Sequence, residues 1–99
     1  MAYDPGALDT ALAAAVGNDP MLVKELRDAF LESAHRHLDA LGRARCDGNW
    51  RMSACRLQGL AGSFGAVELM ELAEEAANGP PGDPVALRRI GQAISAFSA

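Results

Sequence analysis

Few side chains in this sequence are equipped for chemistry. The thiols are Cys46 and Cys55, and the imidazoles are His35 and His37. Two of each at these spacings are too few for a structural zinc site, so no metal and no cofactor are expected. His35 and His37 stand two apart and so cannot share a helix face as i,i+4 metal ligands do. Arg43, Arg45, Arg51 and Arg56 gather around the two thiols, four of the nine basic residues in one short stretch. Such a cluster steers an acidic partner, mostly through association rate. Glu68, Glu71, Glu74 and Glu75 read instead as the solvated face of a helix.

These groups must be held by helices. Twenty Ala and twelve Leu stand against seven β-branched residues (four Val, two Ile, one Thr), a bias toward helix over strand. A chain of 99 residues, 49% hydrophobic and 5% aromatic, has the size of one small domain with one core. A formal charge of −4 and a pI near 5.0 exclude a general nucleic-acid binder, which needs a basic face. No apolar run approaches the ~18 residues of a membrane span, and no charged-then-apolar leader opens the chain. The expectation is a monomeric cytoplasmic protein, neither membrane-bound nor secreted.

Local punctuation divides the chain. Asp4-Pro5, Asp19-Pro20 and Asp83-Pro84 each pair an N-cap with proline at the first helical position. Gly17, Gly48, Gly65 and Asn78-Gly79 read as stops, where a left-handed residue is easiest for Gly or Asn. Five helices are predicted, at about 5–16, 20–45, 50–64, 66–77 and 84–97, with Gly79-Pro80-Pro81-Gly82 as a short linker. Cys46 then falls at the end of the second helix. The long segments carry stripes at helical period. These are Leu22, Val23, Leu26, Phe30, Ala34, Leu41 and Ala44; then Trp50, Ala54, Leu57, Leu60, Ala61 and Phe64; then Ala66, Leu69, Leu72, Ala73 and Ala76; then Ala86, Leu87, Ile90, Ala93, Ile94 and Phe97. Four one-faced helices with short loops pack most simply as an antiparallel up-down-up-down four-helix bundle, with the first helix as a cap.

The third helix breaks its own pattern. With Leu57 at the centre of its buried face, Met52, Cys55, Gly59 and Gly62 land on the opposite side. Glycine there costs about 1 kcal/mol of helix propensity relative to Ala. Close approach of another molecule or backbone accounts for such a cost, and packing against a neighbouring helix is the plainer alternative. His37 falls on the apolar stripe of the second helix and reads as a packing residue; His35 points to solvent. Cys46 and Cys55 are too far apart along the chain for a disulfide between them.

The string Ala54-Cys55-Arg56-Leu57-Gln58-Gly59-Leu60-Ala61-Gly62-Ser63-Phe64-Gly65-Ala66 resembles the signature of histidine-containing phosphotransfer (HPt) domains. That signature reads Ala-His-x-Leu-Lys-Gly, then five residues, then Gly-Ala. Gly59 matches the glycine four after the key residue, and Gly65 the one ten after it. Asn18-Asp19-Pro20 through Phe30, with Leu38 and Leu41, resembles the second helix of the family, and Asp47-Gly48-Asn49-Trp50 its entry to the third. The resemblance covers nearly the whole chain. It implies a four-helix bundle that docks response-regulator receiver domains and hybrid histidine kinases in two-component phosphorelays. In that chemistry an exposed imidazole attacks a receiver's aspartyl phosphate, while the receiver supplies the metal and most of the charge stabilisation.

The sequence departs from the family at both chemical positions. Cys55 stands where the phosphoacceptor histidine belongs, and Gln58 where the lysine belongs. The resemblance therefore implies a module that docks receivers without transferring phosphate, with Met52, Arg56, Gln58, Gly59 and Gly62 as its partner-binding face around Cys55. Two alternatives stand beside it. In one, Cys55 is a working nucleophile with Arg51 and Arg56 within a turn, although an ordinary thiol is only a few per cent thiolate at neutral pH. In the other, Cys55 replaces the histidine of an otherwise active protein.

Overall fold

A computed structural model describes residues 5–17 and 19–97 of the chain. Asp4, read above as a cap, and Asn18, part of the resemblance, lie outside the described residues. Five helices account for the described structure: α1 (Pro5–Val16), α2 (Pro20–Gly42), α3 (Asp47–Ser63), α4 (Val67–Asn78) and α5 (Pro84–Ala96). No strand is present among the described residues.

Local chemistry explains where these helices begin and end. Asp19 Oδ1 accepts the amides of Met21 at 3.0 Å and Leu22 at 3.5 Å, and Pro20 opens α2 with its ring pre-set to helical φ. Asp83 does the same for α5, accepting the Val85 amide at 3.0 Å. The sharpest stop ends α3. Gly65 is left-handed (φ 69°), its amide reaches Gly62 O at 3.2 Å, and the Ala66 amide reaches back to Ala61 O at 2.8 Å. This paired arrangement satisfies carbonyls that a helix end leaves orphaned, and it turns the chain directly into α4.

Several boundaries differ from expectation. Helix α2 stops at Gly42 rather than 45, and α3 starts at Asp47 rather than 50. Gly48 is therefore not a stop but a first-turn residue of α3, where an amide lacks an intrahelical partner in any case. Cys46 does not end α2; it is the extended residue before α3 and makes no side-chain cap. Gly79 is extended (φ −101°, ψ −176°) rather than left-handed, and Gly82 takes the positive φ in that linker.

Packing makes one layered assembly of the helices. Helix α3 lies against α2 and α4, α5 lies against α4 and α2, and α1 lies against α2. The side chains wholly removed from solvent are Trp50, Phe30, Leu41, Leu57, Leu69, Ile90 and Ile94. Ala34, Ala54, Ala61 and Ala73 are equally buried and let the helix backbones approach closely. Phe30 sits at a junction of three helices, its ring 5.0 Å from that of Phe64 and 5.4 Å, edge-on, from that of Phe97. Each such pair adds about 0.5–1.5 kcal/mol beyond the area it buries. Trp50 ties α3 to α4: its buried indole N–H donates to Ala76 O at 2.7 Å.

Four positions depart from the predicted stripes. Leu22 is 44% exposed in the first turn of α2. Ser53 and Ala77 are buried although neither was assigned to the core. Glu68 does not face away: it is half-buried, and its Oε2 is shielded from solvent without a hydrogen-bond partner among the described residues. Glu71, Glu74 and Glu75 are exposed as expected.

Candidate functional site on the outer face of α3

Helix α3 is anchored by an inner stripe of Trp50, Ser53, Ala54, Leu57 and Ala61, all buried. Helical geometry then sends Met52, Cys55 and Gly59 outward, half a turn from Leu57. All three are exposed, Met52 at 45%. Arg56 is exposed on the flank toward α2, where its charge reaches His37. On the flank toward α4 lie Gln58, half-buried, and Gly62, exposed. The predicted site residues thus share one surface, with Cys55 in its middle.

The two glycines separate on packing. A Cβ at Gly62 would stand 3.3 Å from Met70 Sδ, so close packing of α4 gives this glycine a local reason. A Cβ at Gly59 would meet nothing within 4 Å. Nor does Gly59 adopt a left-handed conformation, which among the described glycines belongs to Gly17, Gly65 and Gly82. The fold has no need of a glycine at this point in a helix. The Ser63 hydroxyl, one turn further, folds back to donate to Gly59 O at 2.9 Å and leaves the strip uncovered.

Charge around the strip is uncompensated. Lys24 pairs with Asp28, Arg36 with Glu32, Arg43 with Asp39 and Arg89 with Glu75, at 3.0–3.9 Å. Arg45, Arg51 and Arg56 have no ion pair or hydrogen bond among the described residues. Arg51 precedes Cys55 by one turn and Arg56 follows it directly, so both arginines border the thiol. The Arg56 charge is felt across the helix interface. Partial burial, with the neighbouring charges of Arg36 and then Arg56, holds His37 below its ordinary 6.5. His37 is half-buried and His35 exposed, as their positions on α2 predict.

Cys46 and Cys55 are both exposed free thiols. The eight residues between them are helical, which sets the two about 13 Å apart along the axis, well beyond disulfide reach. Among the described residues no three His, Cys, Asp or Glu side chains converge as metal ligands. The described concavities lie between α4 and α5 and between α2 and α5, away from Cys55. Met52, Cys55 and Gly59 are exposed together on one helix face, where a macromolecular partner has access. No helix is long and apolar enough to cross a membrane among the described residues. Neither a protein-family model, nor a curated protein, nor a solved structure matches this chain.

Proposed function

We propose that this chain is a cytoplasmic docking module of the HPt type, which binds response-regulator receiver domains or hybrid histidine kinases and carries no phosphoryl group. The fold we assign to it is an antiparallel up-down-up-down four-helix bundle, α2 to α5, with α1 as a cap. Pairwise contacts support that topology. Phe30 meets Phe64 while the Arg56 charge reaches His37, a pattern that supports opposite senses for α2 and α3. Trp50 with Ala76 and Gly62 with Met70 relate α3 to α4 in the same way. Phe30 with Phe97 and Leu38 with Gly91 do so for α2 and α5.

The observation that carries the functional reading is Gly59. A glycine in the middle of an exposed helix face, with nothing near its missing Cβ, costs stability that the fold does not recover. Room for a partner's surface over Cys55 accounts for it. The unpaired arginines give that partner its sign, an acidic one. Cys55 and Gln58 lack the imidazole and the ammonium that phosphate transfer uses in this family, so binding remains and transfer does not.

A Gly59 series tests this. Gly59→Ala is expected to stabilise the fold by about 0.5–1 kcal/mol and to weaken binding to a receiver domain selected from a panel. Gly59→Trp is expected to remove binding while leaving the helical circular-dichroism signal and unfolding transition in place. Receiver binding unchanged in Gly59→Trp contradicts the docking face. The second reading, a phosphotransferase that uses Cys55, is favoured by one observation, the exposure of the thiol. It predicts that the chain acquires label from a phosphorylated receiver, with an acid and base stability unlike that of phosphohistidine.

A further inference from the structure

We propose that the Cys55 surface reads the phosphorylation state of its receiver, binding the phosphorylated form through Arg51 and Arg56 without accepting the phosphoryl group. This inference rests on the docking reading above and concerns which state of the partner is preferred.

The arrangement of spare charge carries it. Of the nine basic residues, the described ion pairs and hydrogen bonds engage Lys24, Arg36, Arg43 and Arg89, each with a carboxylate. Arg27 also has an interaction of its own; the arginines left without a partner among the described residues are Arg45, Arg51, Arg56 and Arg88, and the first three lie just before α3 or within it. A solvated face usually carries mixed signs, as α2 does with its i,i+4 pairs. Here Arg51 and Arg56 flank one exposed position with no ion pair among the described residues, although Asp47 lies one turn before Arg51. Burial and the Arg36 charge do most to hold His37 below its ordinary value, and the Arg56 charge adds to them.

A phosphoryl group supplies what the surface lacks. It brings about −1.5 to −2 charge and three acceptor oxygens, which guanidinium groups bind with two parallel hydrogen bonds. Arg51 and Arg56 border Cys55 from the preceding turn and the next residue, while Gly59 opens the following turn. The cysteine side chain ends one bond beyond Cβ, much shorter than an imidazole. It leaves a gap above the helix that the phosphoryl group can enter, still bonded to the partner's carboxylate. No bond to phosphorus forms or breaks on this chain.

The test uses the whole chain and the receiver domain that binds it best from a panel. Affinity is measured with the receiver in magnesium alone and in magnesium with beryllofluoride, which mimics the aspartyl phosphate. Binding about tenfold or more tighter in beryllofluoride is expected, as for charge-assisted hydrogen bonds. In the doubly substituted chain, Arg51→Ala with Arg56→Ala, the ratio of the two affinities is expected to fall toward one. Both arginines are exposed, so the fold tolerates their loss, and the ratio cancels any general loss of association rate. Equal or weaker binding in beryllofluoride, or a ratio retained without the arginines, overturns the inference while leaving docking intact. Absence of binding by every receiver in both states overturns the docking reading and this inference together.

Discussion

Cys55 and Gly59 are poor helix formers on the exposed face of α3, and Arg56 beside them is a good one left without an ion pair among the described residues. The docking reading proposed above accounts for a thiol, a missing side chain and an unpaired cation on one outer surface together. Gly62 differs, because Met70 packs over it and offers a structural reason. The spacing of small residues flagged both glycines alike; only the neighbouring helix tells them apart, which no pattern within α3 contains. His37 gives the surface a titratable reporter. Replacing Arg56 by Ala removes one of the charges that hold His37 down, so its pKa is expected to rise toward 6.5, measured by NMR titration of the ring protons. Burial, the first cause, and Arg36 remain, so the rise is partial. The folded chain prefers neutral His37, so the unfolded chain binds more protons once the pH falls below 6.5. Stability from this group is therefore present above that pH and lost as the pH falls toward the lowered folded value. A His37→Gln chain is expected to lack this part of the acid dependence in urea titrations at stepped pH.

Each helix owes its limits to a few local devices, and these were unevenly legible. Asp19-Pro20 and Asp83-Pro84 were readable because a carboxylate, a proline and the first turn act within four residues. The Gly65 stop was readable too, and its conformation makes a sharp prediction. With φ at 69°, Gly65→Ala is expected to cost about 1–2 kcal/mol, seen as a lower urea midpoint with an unchanged slope. Gly48 and Gly79 misled because glycine permits a left-handed turn without requiring one. Ser53 and Ala77 carry too little hydropathy to register as core, although the packed helices bury both. Glu68 was placed by the direction of its Cα. Its long side chain can fold back along the helix, so the carboxylate need not follow the wheel; nothing in the structure explains its unpartnered oxygen.

At the scale of the whole molecule, one end-to-end assembly, 42 × 24 × 18 Å, displays α3 on its outside. Helix α2, about 35 Å long at its ordinary rise, runs most of that length. Trp50 is the tie between the site helix and α4. Trp50→Ala is expected to cost about 3–5 kcal/mol, seen in a thermal melt as a midpoint lower by at least about 10 °C. Fold class and the candidate surface were legible because both follow from helical period, whereas spare charge became visible only once each arginine could be checked for a partner. We propose that the docking surface is complete and that the missing imidazole at Cys55, more than the missing ammonium at Gln58, stops phosphate transfer. The most direct test compares the native chain with Cys55→His for acceptance of radiolabelled phosphate from a panel of phosphorylated receivers. Acid-labile label is expected on Cys55→His and none on the native chain. Label on the native chain, or none on Cys55→His from any receiver, would contradict this proposal.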